Sequence, residues 1–107
     1  MKKIHLNNYQ GGWFLGDFSP TLLKTSDFEV SVKNYQAGDC ESIHYHKIAT
    51  EWTVITAGEV EINGIRYIKG DIIEVAPGEI IQFGAITDAT TTVVKVPSVK
   101  GDKYIVQ

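Results

Sequence analysis

The sequence predicts an all-β protein built as a small barrel or jelly roll. No stretch has the apolar periodicity of a helix. Instead, short segments of alternating apolar and polar residues follow one another between turn signals. Asn63-Gly64 between two such segments is the strongest hairpin signal, because both turn positions require positive φ. Many short antiparallel strands in one small chain must close or stack to hide their edges.

The elements are predicted in the following order. Residues 1–24 are expected to be irregular, and their large apolar side chains to pack on the barrel or on a second subunit. Residues 25–107 form the barrel, and the whole chain is one domain. The predicted strands cover residues 28–33, 42–47, 51–57, 60–62, 65–67, 72–75, 80–83 and 90–96, with a last edge strand at 103–106. In the first of them, alternation predicts a buried face that carries Val30 and Val32 and a wet face that carries Glu29 and Lys33.

Composition limits the function classes. Of the 107 residues, 43% are hydrophobic and 21% charged, which is typical of a globular domain. The formal net charge of -3, without a basic cluster, argues against nucleic-acid binding. No apolar stretch approaches the roughly 20 residues of a membrane helix. The single cysteine, Cys40, excludes an intramolecular disulfide and favours a reducing compartment, so we expect a cytoplasmic protein.

His44-Tyr45-His46 is the sharpest chemical feature. Residues i and i+2 of a strand share a face, so both imidazoles point the same way. Glu51 begins the next predicted strand after a short connection and is the candidate carboxylate; Thr53 shares its face. Two His and one carboxylate with open positions form the facial triad of non-heme iron enzymes and suit several divalent ions.

The spacing Gly38-x5-His44-x-His46-x4-Glu51-x6-Gly58 resembles the first motif of the cupin superfamily. Gly70-Asp71 and Pro77-Gly78 resemble parts of its second motif, and the resemblance spans residues 35–96. It implies a single-domain cupin, a double-stranded β-helix or jelly-roll barrel. It also implies a divalent metal (Fe, Mn, Ni, Zn or Cu) held by two His and a Glu of the first motif and a His of the second.

The histidine of the second cupin motif has no counterpart in this sequence. Ile81 occupies its position and cannot ligate, so Gln82 and Glu79 are equal candidates for a fourth ligand or a substrate contact, with water or substrate as a third choice. Ile81 and Phe83 are expected to line the pocket. The stretches HYHKIATE and VVKVPSVKGDKY resemble small cupins encoded near nucleotide-sugar and polysaccharide genes, which implies a sugar-related ligand.

Three functions remain open at this point. The first is a metal-dependent enzyme acting on a small polar metabolite, such as a dioxygenase, isomerase or lyase. The second is a degenerate, metal-free cupin that binds a small molecule or sugar without catalysis. The third and least favoured is a metal-free epimerase. The apolar N-terminal segment and the barrel edges also predict a homodimer.

Overall fold

The computed structural model describes all residues 1–107 and consists of ten short strands and two single-turn 3-10 helices. The strands are β1 (Trp13–Leu15), β2 (Glu29–Tyr35), β3 (His44–Tyr45), β4 (Thr50–Ala57), β5 (Glu59–Ile62), β6 (Ile65–Ile68), β7 (Ile72–Val75), β8 (Phe83–Ala85), β9 (Ala89–Val96) and β10 (Tyr104–Ile105). The 3-10 helices are Leu6–Asn8 and Gln10–Gly12. The all-β prediction is confirmed, and no helix is long and apolar enough to cross a membrane.

The strands form two antiparallel sheets that enclose one interior. The larger sheet has the order β1-β2-β9-β4-β7. The second consists of β6-β5-β8 and the pair β10-β3, which backbone bridges join: His44 and Ile81 exchange hydrogen bonds of 3.2 and 2.8 Å, and Cys40 is bridged to Gly84. These bridges place the predicted metal-binding strand inside the second sheet, opposite β4.

The apolar core lies between the two sheets. Because strand side chains alternate between faces, the inward positions of β4, β5, β7 and β8 come together. The buried cluster comprises Ile55, Val60, Ile62, Ile73, Val75, Ile81, Phe83, Ala85 and Ala89. Glu61 and Glu74, on the outward positions of β5 and β7, are exposed. This core fills one part of the interior and leaves the rest to polar side chains.

The turn between β5 and β6 and the turn between β4 and β5 depend on residues that accept a positive φ. Asn63 and Gly64 have φ of 52° and 80° and close the β5–β6 hairpin, as the sequence predicts. Gly58, between β4 and β5, has φ of 77°, and a Cβ there would lie 2.0 Å from the carbonyl oxygen of Asp88. Both the left-handed backbone and the close approach of the β8–β9 connection exclude other residues from position 58.

The structure corrects two expectations about the first strands. The N-terminal segment is not wholly irregular, because Trp13–Leu15 forms an edge strand that pairs with β2. The face assignment of β2 is also wrong. Ser31 is fully buried and Glu29 and Lys33 line the interior, whereas Val30 and Val32 point outward. The interior is polar at this level, so alternation alone assigned the wrong face to the core.

Candidate functional site

A cavity of about 230 Å³ opens between the sheets and contains the predicted site residues of the first motif. Part of its wall is apolar core, and the rest is unusually polar for a barrel interior. The lining residues that carry charge or chemistry are Trp13, Glu29, Lys33, Tyr35, Glu41, His44, His46, Glu51, Thr53, Thr91, Lys95, Asp102 and Lys103. Its volume is below the ~300–1,000 Å³ of most drug-sized sites, so the ligand it fits is small.

His44 and His46 lie side by side in this cavity. Both are buried, and their ring centroids are 5.2 Å apart at an interplanar angle of 80°. The Nδ1 atom of His44 lies 2.7 Å from the carbonyl oxygen of Ser42. Because a carbonyl only accepts, Nδ1 carries the proton and Nε2 keeps its lone pair for a ligand. With metal–nitrogen distances of about 2.1 Å, two imidazoles on one ion have ring centres about 5 Å apart, which agrees with the observed spacing.

His46 has no internal partner. Neither ring nitrogen makes a hydrogen bond, although the residue is only 3% exposed. Burial, reinforced by the positive charge of Lys95, lowers the pKa of His46 to about 4, so the ring is neutral near pH 7. A neutral, buried imidazole with free nitrogens is the state in which histidine binds a metal or a polar ligand.

Glu51 lies in the same cavity, on β4 of the larger sheet. It is 9% exposed, and its Oε2 atom accepts a hydrogen bond of 3.1 Å from Thr53 Oγ1. No group of three or more His, Cys, Asp or Glu side chains converges as a metal site in the structure. The two histidines therefore fit a metal ion, whereas the carboxylate predicted to complete the set lines the cavity without closing it.

The proposed substitutes for the fourth ligand do not enter the cavity. Gln82 is exposed, and its backbone N–H donates to Asn63 Oδ1. Glu79 is exposed at the turn before β8, and its side chain accepts from the N–H of Ala76. Ile81 and Phe83, by contrast, are buried and line the cavity, as Thr53 does. The strand alternation that carries Ile81 inward carries Gln82 outward.

The larger sheet contributes charged residues that the sequence analysis missed. Lys95 on β9 is paired in register with Glu29 on β2 and with Glu51 on β4, so the three side chains form one row across the interior face. Burial raises the pKa of Glu29, and the positive charge of Lys95 opposes that shift. The sequence did offer a signal: Lys95 interrupts the β-branched run 90–96. It lies two and four residues after Val93 and Thr91, which point inward, so all three share one face of the strand.

A second group of missed residues comprises Lys33 and Tyr35 on β2 and Glu41 before β3. Tyr35 donates a short hydrogen bond to Glu41, and burial, together with the charge of Glu41, raises the pKa of Tyr35. Lys33 is also in the interior, where burial lowers its pKa. Strands β2 and β9 thus bring lysine and tyrosine side chains into the cavity that contains the two histidines.

Asp102 is hydrogen-bonded to the backbone between His46 and Glu51. Its carboxylate accepts hydrogen bonds of 2.9 to 3.2 Å from the N–H groups of Lys47, Ile48 and Ala49. Burial alone would raise the pKa of Asp102, but the hydrogen bonds from Ala49, Lys47 and Ile48 outweigh it and lower the pKa. This C-terminal residue thus fixes the segment between His46 and Glu51.

Two facing sheets around a polar cavity, with the pair of histidines on one sheet and a carboxylate on the other, define a cupin-type double-stranded β-helix fold. Solved structures agree. An uncharacterised protein with a double-stranded β-helix domain from Klebsiella pneumoniae is 24% identical with a TM-score of 0.70, over 78% of this chain and 74% of that chain. The DMSP lyase DddQ from Ruegeria pomeroyi has a TM-score of 0.72 at 17% identity, over 87% of this chain and 49% of that one.

A sugar phosphate isomerase from a cupin superfamily, from Silicibacter pomeroyi, is 24% identical with a TM-score of 0.60, over 68% of this chain and 52% of that chain. The chain thus spans about half the length of this isomerase and of the lyase. No protein-family model matches the sequence, and no curated protein matches it. At these identities the likeness shows the fold, and the predicted cupin fold is confirmed.

Proposed function

We propose that this protein binds a small polar metabolite in the barrel cavity, next to a divalent metal ion held by His44 and His46 with Glu51 as the third ligand. The observation that carries the proposal is the histidine pair. His46 is buried with two free nitrogens, and His44 has Nε2 free because Ser42 holds its Nδ1. A bound divalent ion would supply Lewis-acid chemistry toward an oxygen of the metabolite.

The chain itself supplies the rest of the site. The apolar wall of Ile73, Val75 and Ile81 excludes water from one side of the cavity. Thr53 holds the Glu51 carboxylate through its hydroxyl group, which leaves the second carboxylate oxygen free. The exposed positions of Glu79 and Gln82 leave no protein group at the fourth-ligand position, so the remaining coordination sites are open to water or substrate.

Elemental analysis of untagged protein by mass spectrometry tests the metal. Wild type is expected to retain a stoichiometric divalent metal, and His46→Ala to lose it. His5→Ala is the matched control, because His5 is exposed and only caps a 3-10 turn through its Nδ1 atom. Absence of metal from wild type grown with metal supplements would reject this part of the proposal.

A metal-free binding module is the second candidate function, and a specific observation favours it. The structure contains no converged three-ligand group, and Lys95, which carries a positive charge, is the cross-strand neighbour of Glu51 in the cavity. In this case the cavity binds its metabolite through hydrogen bonds and charges only. Ligand-induced thermal stabilisation that persists in the presence of a chelator distinguishes it from the metal-dependent function.

We also propose a homodimer. Ile65, Ile68 and Ile72, on β6 and β7, are between 49% and 65% exposed, so these two strands carry apolar side chains on the surface. Light scattering at micromolar concentration measures the molar mass. A monomer mass would reject this proposal without affecting the cavity.

A further inference from the structure

The cavity contains three lysines whose ammonium groups are not engaged by the protein's carboxylates. Lys33, Lys95 and Lys103 all line it, together with four acidic residues. The ion pairs within 4.0 Å in this structure are nevertheless Arg66–Glu59 and Lys100–Asp17, both on the surface. The cavity therefore holds opposite charges that do not neutralise one another by direct contact.

Most of the carboxylates have other partners. Glu41 accepts from the Tyr35 hydroxyl group, and Glu51 accepts from Thr53. Asp102 accepts from three backbone N–H groups. Each of these three carboxylates thus has a hydrogen-bond partner in the protein that is not a lysine.

The lysines are in the opposite situation. Lys33 Nζ donates one hydrogen bond of 3.1 Å, to the carbonyl oxygen of Gly11, which leaves two of its three N–H groups free. Lys95 Nζ makes no hydrogen bond to the protein, although the residue is half-buried on the interior face. Ammonium groups removed from bulk water without an anionic partner are costly, and an anion in the cavity would relieve that cost.

Two of these ammonium groups contact the same aromatic side chain. Lys33 Nζ and Lys95 Nζ lie 5.0 and 4.8 Å from the centroid of the Trp13 ring. The π-face of an indole attracts cations, so Trp13 on β1 holds one ammonium group from β2 and one from β9 beside it in the cavity. Position 13 belongs to the edge strand whose pairing with β2 the sequence did not reveal.

We propose that the metabolite bound in this cavity carries an anionic group, a carboxylate or a phosphate, which binds at Lys33 and Lys95 beside Trp13. This inference rests on the proposed small-metabolite function and adds the chemical class of the ligand. Charge-assisted hydrogen bonds from two ammonium groups select an anion over a neutral polyol of the same size. The cavity volume of about 230 Å³ limits the ligand to a small acid or a phosphorylated small metabolite.

Calorimetric titration with three probes tests the inference. D-glucuronate and D-glucose differ at one carbon, which is a carboxylate in the first and a hydroxymethyl group in the second, and inorganic phosphate represents the other anion. We expect glucuronate or phosphate to bind wild type at least about tenfold more tightly than glucose, with affinity that falls as salt rises.

The variants assign the effect to the lysines. Lys33→Met and Lys95→Met are each expected to lower anion affinity by about tenfold or more, and Lys95→Arg to retain most of it because the charge remains. Lys69→Met is the matched control, since it removes the same charge from an exposed turn outside the cavity. Melting temperatures of the unliganded variants that are no lower than that of wild type show that the variants fold. If Lys95→Met does not fold, Lys95→Arg and Lys33→Met provide the test.

The outcomes separate the two proposals. Glucose binding as tight as glucuronate binding, insensitive to both lysine variants, would overturn the anionic class and leave the metabolite-binding function standing. Equal loss in Lys69→Met would also overturn it, because the effect would then reflect net charge. Failure of all three probes to bind would overturn both the proposal that the ligand is anionic and the proposal that the cavity binds small polar metabolites. The metal analysis of wild type and His46→Ala tests metal binding separately from these titrations.

Discussion

Replacement of Asp102 by alanine is expected to destabilise the fold more than any other loss of a single carboxylate. The Asp102 side chain is 6% exposed and bonds to three consecutive backbone N–H groups, those of Lys47, Ile48 and Ala49. In Asp102→Ala these donors lose their only acceptor. The affected segment leads from His46 to β4, so the perturbation falls on the connection that positions the candidate site.

The expected magnitude follows from burial. The N–H of Ala49 is buried, and a hydrogen bond to a charged group contributes about 1.5–3 kcal/mol net, so its loss costs about 2 kcal/mol. The N–H groups of Lys47 and Ile48 are part-buried and regain water, which adds about 1 kcal/mol in total. The free energy of unfolding should thus fall by about 3 kcal/mol, which corresponds to roughly 13 °C in melting temperature. Asp102→Asn keeps one acceptor oxygen and should lose about half as much.

Urea denaturation followed by circular dichroism measures the effect. Asp88→Ala is the matched control, because the Asp88 carboxylate accepts one exposed backbone N–H, that of Ala37, at 2.9 Å. It should cost no more than about 1 kcal/mol. Equal destabilisation by Asp102→Ala and Asp88→Ala would refute the reasoning, since it would mean that the buried donors need no acceptor.

Three further predictions concern the site and the fold. In the presence of a chelator, the free energy of unfolding should be highest above pH 6.5 and fall by up to about 3 kcal/mol as the pH drops toward 4. The reason is that the unfolded chain protonates His46 in this range, whereas burial holds the pKa of His46 at about 4 in the folded state. In urea titrations, His46→Gln should make this loss of stability at acidic pH smaller. Ile81→His should tighten metal binding at least about tenfold in competition with a chromophoric chelator, and unchanged affinity would mean that position 81 does not face the ion. Gly58→Ala should lower the free energy of unfolding, measured by urea denaturation, by more than about 3 kcal/mol, because its Cβ meets the Asp88 carbonyl oxygen. Gly64→Ala, whose Cβ would meet open space, should lower it by about 1 kcal/mol. Similar losses in the two variants would contradict the steric clash at position 58.

The sequence predicted more of the fold than of the site. Strand alternation located nearly all the strands, and Asn63-Gly64 marked its hairpin, because these signals depend on neighbours along the chain. The His44, His46 and Glu51 spacing placed three residues in one cavity. Glu79 and Gln82 were wrong as cavity residues, because the turn before β8 holds one and strand parity turns the other outward.

What the sequence by itself determined is the class of fold and the histidine pair, since a period of two along a strand fixes which residues share a face. It did not determine which face is the interior. Glu29, Lys33 and Lys95 are charged and alternate with valines, so local patterning assigns them to solvent. Only the pairing of β1 with β2, of β2 with β9 and of β9 with β4 turned that face inward, because these long-range contacts build the sheet whose one side faces the cavity. Long-range contacts of two kinds bring Trp13 and Asp102 to one cavity: Trp13 pairs with β2, and Asp102 is hydrogen-bonded to residues 47–49.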